Sequence, residues 1–287
     1  MEKRERKTLK QNQFPALLRE IPSPPKEIYV IGELPSEDLI WLGVVGTRKF
    51  SNYGKEVCEK IIEGLKGYGF VIVSGLALGI DSIAHRAAIE NNIPTIAVPG
   101  SGLDEKVLHP HSHKKLAEDI VNAGGALVSE FPWDYPAGLH TFPQRNRIIA
   151  GLCKGTLVIE APEKSGALIT ANFSLDFNRD VFAVPGSIFQ ENSKGTNKLI
   201  KMGAIPVTSA DDILDAFDIV REGENLKLDL QSLSPLEQKI MEALTDPMPK
   251  DDLIRKLGLL AHEVSPALTL MQLNGYIKES GGNVYRC

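Results

Sequence analysis

The fold is indicated most directly by residues 41–48, Trp41-Leu42-Gly43-Val44-Val45-Gly46-Thr47-Arg48. The run from 41 to 45 has no polar residue, which is typical of a strand buried on both faces of a sheet. A Gly46-Thr47-Arg48 turn follows it, and residues 54–66 then have a helical pattern. A strand, a glycine-containing turn and a helix in this order predict a βα unit of a parallel sheet.

The same unit recurs along the chain. Residues 27–32 predict a strand ended by a glycine, and short β-branched runs occur at 70–73, 95–98, 126–128, 156–159, 181–184 and 205–207. Helical patterns lie between most of these runs, for example at 80–91 and 114–123, and a helix over 211–217 closes the series. These repeats predict an α/β fold with a Rossmann-like, doubly wound, mainly parallel sheet.

The C-terminal part predicts a small winged-helix domain. Ser234-Pro235-Leu236-Glu237 is a capping box with proline at the first helical position, and helices are predicted to about Leu244, over 251–257 and over 261–274. Gly281-Gly282-Asn283 predicts a hairpin between 276–278 and 284–286. We therefore predict an N-terminal tail and wrapping segment (1–26), a Rossmann-like domain (27–219), a polar linker (220–232) and a winged-helix domain (233–287).

Composition favours a cytoplasmic protein. A hydrophobic content of 43% in 287 residues supports a substantial core. Three cysteines without paired or metal-like spacing fit a reducing compartment. No apolar run approaches the ~20 residues that cross a bilayer, and the charged segment 1–10 is not followed by the apolar stretch of a signal peptide. We expect no membrane partner.

The turns after the predicted strands favour an anion site. Ligands of doubly wound sheets bind beyond the carboxyl ends of the strands, and glycine turns with exposed N–H groups accept phosphate there. For any single turn a tight βα connection is the better explanation, whereas several turns on one rim, together with Arg48 and Arg145, favour the phosphate site. The residues on this rim are Gly46, Thr47, Arg48, Ser74, Gly75, Gly100, Ser101, Ser165 and Gly166.

The stretch from Thr141 to Gly151, TFPQRNRIIAG, predicts a doubly cationic turn that enters a short apolar helix capped by Asn146 or a neighbour. Arg145 and Arg147 provide planar donors that match phosphate oxygens, and Phe142 provides a ring on which a base can stack. The alternative is a surface loop with arginine ion pairs and a buried phenylalanine.

These motifs, in this order, resemble the DNA processing protein A family, also called Smf. The resemblance covers about residues 14–217 and, more weakly, 233–287. It implies a homodimeric mediator that binds single-stranded DNA and loads RecA-type recombinase onto it, in DNA uptake or recombination. The same resemblance implies DNA contacts at Arg48, Phe142, Arg145, Asn146, Arg147, Lys164, Ser165, Gly166 and Thr170.

The charge distribution is compatible with this role. The net charge is −5, but residues 141–201 carry eight Lys and Arg against five Asp and Glu. The winged-helix region has six basic and seven acidic residues over 234–287, and its third helix has no Lys or Arg. That balance favours a protein contact over strong DNA binding there.

Three alternatives remain. An enzyme of the nucleotide phosphoribohydrolase type, in the lysine-decarboxylase-like group, would have a Pro-Gly-Gly-x-Gly-Thr motif, whereas this chain has Pro99-Gly100-Ser101-Gly102-Leu103-Asp104. A duplex-binding regulator would act through the winged helix. A metal site at His109, His111 and His113 lacks an obvious fourth ligand. We therefore expect a non-enzymatic protein without a metal or cofactor, in which Asp81 and His85 form a structural pair.

Overall fold

The computed structural model describes residues 5–219, 233–244, 247–273, 276–280 and 282–286. The chain divides into two compact units, 1–219 and 220–287. The predicted linker over 220–232 lies outside the described residues. Within the described part, no helix is long and apolar enough to cross a bilayer.

The strands of the first unit form one mainly parallel sheet, as predicted. They are β1 (Arg6–Lys10), β2 (Glu27–Gly32), β3 (Ile40–Val45), β4 (Phe70–Ser74), β5 (Thr95–Ala97), β6 (Ala126–Ser129), β7 (Gly155–Val158), β8 (Asp180–Ala183) and β9 (Ile205–Pro206). Their spatial order is β1-β2-β6-β5-β4-β3-β7-β8-β9, and only the β1–β2 and β2–β6 pairs are antiparallel.

Helices cover both faces of this sheet, which makes it doubly wound. They are α1 (Ala16–Arg19), α2 (Asn52–Gly64), α3 (Ile80–Glu90), α4 (Lys114–Asn122), α5 (Thr141–Leu152), α6 (Gly166–Asp176), α7 (Lys194–Lys201) and α8 (Ala210–Ala216), with 3-10 turns at Gln11–Gln13, His111–His113 and Glu191–Ser193. Val71 and Val73 of β4 pack in the core cluster that contains residues of α1, α5 and α6. Phe70 and Ile72 pack in the cluster that contains residues of α2, α3 and α8.

The prediction of a tail is wrong for residues 6–10. They form β1 and pair antiparallel with β2, with Thr8 opposite Tyr29. Arg6 forms an ion pair of 2.7 Å with Asp104, and its guanidinium lies 5.0 Å from the centroid of the Trp133 ring. Backbone pairing and charged side chains hold this strand. Its sequence therefore lacks the alternation of apolar and polar residues by which a strand is usually recognised. The wrapping segment also contains the short helix α1.

The second unit is a winged helix, as predicted. Its elements are α9 (Pro235–Ala243), β10 (Met248–Pro249), α10 (Lys250–Leu257), α11 (Ala261–Leu273), β11 (Ile277–Ser280) and β12 (Asn283–Arg286), with the strands in the order β10-β12-β11. The capping box is present, since the N–H of Ser234 donates to Glu237 Oε2 at 2.7 Å. Ile240, Leu253, Val264 and Leu268 are in its own core.

Strand β3 marks the topological switch of the first sheet. The chain leaves β3 for β4, β5 and β6 on one side and returns to β7 on the other side. Connections on opposite sides of a strand open a crevice at the carboxyl ends of the strands, and ligands of doubly wound sheets bind there.

Candidate functional site

A cavity of about 270 Å³ opens at this switch point, next to the ends of β3 and β7. Its cationic lining residues are Arg48, Arg145 and Lys164, and its one carboxylate is Asp81. Ten of the predicted site residues line it: Gly46, Thr47, Arg48, Phe142, Arg145, Asn146, Lys164, Ser165, Gly166 and Thr170. The sequence prediction did not include the other lining residues, which are Val45, Ala77, Asp81, Ile149, Pro162 and Ala167.

The polar TFPQRNR residues belong to helix α5 and do not form a turn in front of it. The helix begins at Thr141, so the TFPQRNR stretch forms its first turns, and the prediction of a turn capped by Asn146 is wrong. Thr141 Oγ1 accepts the N–H of Gly138 at 3.0 Å and donates to the carbonyl of Gly100 at 2.5 Å. Proline at position 143 is compatible with this early start, because the first-turn N–H groups of a helix have no helical partner to lose.

Arg145 is buried at the base of the cavity, with a relative exposure of 5%. Its Nη1 donates to the carbonyls of Gly75 and Val98, and its Nε donates to Asn146 Oδ1 at 3.1 Å. Its Nη2 has no hydrogen-bond partner among the described residues. Burial lowers the pKa of Arg145 to about 10, and neighbouring Asp81 opposes this shift. The guanidinium is therefore still cationic at neutral pH, and it keeps one nitrogen that no described residue binds.

Asp81 lies in the first turn of α3 and is the buried counter-charge of Arg145. Its Oδ2 accepts the N–H of Gly75 at 3.1 Å. Burial raises the pKa of this carboxyl, whereas Arg145 and the N–H groups of Ala77 and Gly75 act in the opposite direction. The expected pairing with His85 is not present: His85 Nδ1 lies 2.8 Å from Thr95 Oγ1 instead. The prediction did not include Asp81, although an acidic residue at a helix start after a glycine-rich loop is a recognisable sequence signal.

Arg48 and Phe142 form the rim of the cavity. The Arg48 guanidinium lies 5.2 Å from the centroid of the Phe142 ring, a cation–π arrangement. Arg48 is exposed, and Phe142 is partly buried. Within the described residues, neither Arg48 nor Lys164 forms an ion pair. Both positive charges are thus available to a ligand.

The start of α6 closes the opposite side of the cavity. Ser165 caps this helix, and its side chain accepts the N–H of Ala167 at 3.2 Å. Asn146 Nδ2 donates to the carbonyl of Gly166 at 3.1 Å, which ties α6 to α5. Gly166 is exposed, and a Cβ atom added there would meet nothing within 4 Å. The positive end of α6 therefore faces open space beside Lys164.

Four predicted residues do not line the cavity. Ser74 is fully buried and donates to the carbonyl of Val44 at 2.6 Å, and Ser101 is fully buried and donates to the carbonyl of Gly102 at 3.0 Å. A Cβ atom at Gly100 would lie 2.5 Å from Cδ1 of Phe142. Gly75 lies under Arg145 and also borders a second, smaller gap. Gly75 and Gly100 thus pack against the lining side chains of Arg145 and Phe142.

The structure does not bring Arg147 into the cavity. Its Nη1 donates to the carbonyl of Ser23 at 2.6 Å, and its Nη2 forms an ion pair with Glu130. The side chains are 16% and 6% exposed, respectively. Burial raises the pKa of Glu130, and Arg147 counteracts that shift. Arg147 thus fastens the N-terminal segment to α5.

The three alternating histidines do not form a metal site. No group of three or more His, Cys, Asp or Glu side chains in the described residues is arranged to hold a metal ion. His113 is buried, with Nδ1 2.8 Å from the carbonyl oxygen of Leu76. His109 is exposed and packs against Phe142, with ring centroids 5.6 Å apart.

Comparison with known proteins identifies the family of the chain. Residues 6–218 match the model of DNA recombination-mediator protein A, and residues 226–283 match the DprA winged helix domain. Protein Smf of Escherichia coli K12 is 39% identical over 270 residues, which cover 91% of this chain and 72% of that protein.

Two solved structures are also similar. DNA processing protein A of Streptococcus pneumoniae is 40% identical, with 73% of each chain covered and a TM-score of 0.66. The structure of DNA processing protein A of Helicobacter pylori, which concerns its single-stranded DNA binding mode, is 27% identical and has a TM-score of 0.67, with 75% of this chain and 96% of that chain covered. With a family model that matches most of its length and relatives of this similarity, the chain belongs to the DNA recombination-mediator protein A family.

Proposed function

We propose that this protein binds single-stranded DNA in the cavity at the switch point and passes the strand to a RecA-type recombinase. The observation that carries the proposal is the buried Arg145 guanidinium, whose Nη2 has no partner among the described residues. A desolvated cation with an available donor in an open cavity is suited to an anionic oxygen. The related protein from Helicobacter pylori, whose structure concerns a single-stranded DNA binding mode, supports DNA as the source of that oxygen.

The electrostatics of the cavity favour phosphate. Its lining has three cationic side chains and one carboxylate, and the pKa of that carboxylate is raised. The start of α6 adds a positive helix end. A charge-assisted hydrogen bond is worth about 1.5–3 kcal/mol, so Arg48, Arg145 and Lys164 together suffice for binding of a strand despite the net charge of −5.

Preference for single strands follows from Phe142. A base stacks on an aromatic ring only when it is not already stacked within a duplex, and such stacking contributes about 1–3 kcal/mol per base. The partly buried Phe142 ring contacts the Arg48 guanidinium, and Gly100 packs against the ring. Stacking on a ring is tolerant of sequence, so we expect little base preference.

In the proposed function, the protein makes and breaks no covalent bond. In the enzyme alternative, the turn at Pro99-Gly100-Ser101-Gly102 would contact a phosphate. All four residues are buried, and the carbonyl of Ser101 accepts a hydrogen bond from Ser129 Oγ at 2.7 Å. No observation favours this alternative.

The mediator role, the homodimer and the cytoplasmic location are parts of the same proposal. Membership of a recombination-mediator family supports recombinase loading in DNA uptake or recombination. Within residues 200–207, Met202 is 59% exposed, while Ala204 and Val207 are buried, so an apolar side chain is available there for a dimer contact. Light scattering of a chain ending at Ile219 tests the dimer, and a strict monomer at tens of micromolar would contradict it.

A salt-titrated binding assay with single- and double-stranded oligonucleotides tests the DNA proposal. We expect log affinity for single strands to fall with log salt concentration, at about −0.7 per phosphate contact. Equal affinity for both forms of DNA would contradict the role of Phe142. Recombinase assembly on DNA already coated with a single-strand-binding protein tests loading, and assembly no faster with this protein present would contradict it.

A further inference from the structure

Beside the main cavity, His109 and Arg48 both contact Phe142. The His109 ring is tilted by 53° to the Phe142 ring, with centroids 5.6 Å apart, and the Arg48 guanidinium lies 5.2 Å from the same centroid. His109 is exposed, and its backbone N–H donates to Ser101 Oγ at 3.3 Å. The ring of one phenylalanine therefore brings together a permanent cation and a titratable one.

A small gap of about 30 Å³ joins these groups and adjoins the main cavity. It is lined by Arg48, Gly75, Ala77, Leu78, His109, Pro110, Phe142 and Arg145. Four of these residues, Arg48, Ala77, Phe142 and Arg145, also line the main cavity. A strand bound in the main cavity would therefore pass beside the gap, and it carries a charge at every nucleotide.

The charged and titratable groups that face His109 are all basic. Arg48 follows β3, Arg145 belongs to α5, and His111 lies in the same segment with its ring centroid 6.3 Å from that of His109. The residues that line the gap, all in the described part of the chain, include no carboxylate. An anion in the gap would therefore supply the counter-charge that the protein does not provide.

We propose that His109 and Arg48 form a second phosphate subsite beside the main cavity, so that affinity for single-stranded DNA rises when His109 becomes protonated. This inference rests on the proposed function, because the strand must occupy the main cavity for its next phosphate to reach the gap. It assigns to His109 a direct contact with DNA and makes binding dependent on pH.

The sign of the pH dependence follows from linkage. In the free protein, partial burial, His111 and Arg48 lower the pKa of His109. A phosphate next to the imidazole favours its charged form and raises the pKa in the complex. Binding therefore takes up a proton, and affinity increases as the pH falls through this range. A pKa difference of one unit between the free and bound states gives at most a tenfold change in affinity.

The test measures affinity for an unstructured single-stranded oligonucleotide at pH 7.5 and pH 5.5, at constant ionic strength, with the full chain. We expect about a three- to tenfold gain at the lower pH for the wild-type protein. His109→Gln and His109→Phe should lose most of this gain, because neither side chain can be protonated. His140→Gln is the matched control, since exposed His140 lies near the start of α5 but lines neither the cavity nor the gap.

The two variants separate charge from ring packing. If His109 acted only by supporting Phe142, His109→Phe would retain wild-type affinity at pH 5.5, and that result would overturn the proposal. The same gain in wild type and in both variants would also overturn it, by assigning the effect to another group. Absence of binding at both pH values would instead refute the proposed function, and this subsite with it. Thermal denaturation at each pH verifies that the variants are folded.

Discussion

A Cβ atom at position 75 would overlap Nη1 of Arg145 and would lie 2.5 Å from Oδ2 of Asp81. Glycine is therefore required at position 75 by the buried pair of charges above it. The backbone of Gly75 also binds both charged side chains, because its carbonyl accepts from Arg145 and its N–H donates to Asp81. The glycine acts on the site through these two side chains.

Gly75→Ala should destabilise the first unit and weaken DNA binding together. Insertion of a methyl group into a packed site costs about 1–3 kcal/mol, and displacement of Arg145 removes the proposed ligand donor. Gly166→Ala is the matched control, because its Cβ would meet open space at the first position of α6. Thermal denaturation should separate the two variants, and equal melting temperatures would contradict the steric role of Gly75.

Arg48→Gln should reduce single-strand affinity without changing the melting temperature. Arg48 is exposed and forms no ion pair within the described residues, so its removal leaves no buried charge. Loss of one charged contact to phosphate, about 1.5–3 kcal/mol, corresponds to roughly 10- to 150-fold in affinity. Lys49→Gln, the adjacent exposed cation outside the cavity lining, controls for net charge. Equal losses of single-strand affinity in the two variants would mean that Arg48 contributes only to the overall electrostatic potential of the protein.

Arg147→Met should have the opposite profile, with reduced stability and unchanged DNA affinity. The substitution leaves the largely buried carboxylate of Glu130 without its arginine, and an uncompensated buried charge is costly. The Arg147→Met, Glu130→Gln double variant should recover part of the lost stability, which a double-mutant cycle measures. A greater than tenfold loss of single-strand affinity for folded Arg147→Met would show that Arg147 contacts DNA after all.

Asp81→Asn should change how stability depends on pH. The folded-state pKa of Asp81 is raised, chiefly by burial, so folding takes up a proton between the ordinary value of about 3.8 and the raised one. Over that window, the stability of the wild type relative to Asp81→Asn falls as pH rises. Urea denaturation at pH values from 4 to 7 measures this difference. If the stability of the wild type relative to Asp81→Asn rose with pH instead, Arg145 would outweigh burial and lower the pKa of Asp81.

A chain ending at Ile219 should keep most of the single-strand affinity. Every residue that lines the main cavity lies before position 171. The region 234–287 has six basic and seven acidic residues, so it adds no net attraction to phosphate. An affinity loss above roughly tenfold, about 1.4 kcal/mol, would show that the winged helix shares the DNA site.

The grouping of several predicted residues around one cavity follows from where they stand relative to strand ends. Gly46, Thr47 and Arg48 follow β3 directly, and parallel strands place such turns on one rim. The different environments of Arg145 and Arg147 were not predicted because both were expected in a turn, whereas both lie in α5. Residues two apart on a helix are separated by about 200°, so one arginine enters the cavity while the other faces away.

Sequence patterns also did not show which glycines are required for packing. Gly75 and Gly100 look like phosphate-binding turns, yet the space at each is taken by a side chain from distant α5, Arg145 and Phe142, respectively. Such a contact depends on how the loops and α5 come together in three dimensions. The alternating histidines indicated His109 as a candidate metal ligand, and no local pattern indicated that its ring would contact Phe142.

Strand β1 has a consequence for self-association. An uncovered strand edge is a template for pairing with another chain. At one edge of the sheet, β9 has only two residues, one of which is Pro206, a residue that cannot donate to a neighbouring strand. At the other edge, the charged β1 covers β2, whose Ile28, Val30 and Ile31 are buried. Removal of the first ten residues would leave this apolar strand as an open edge, and we expect the shortened chain to aggregate edge to edge.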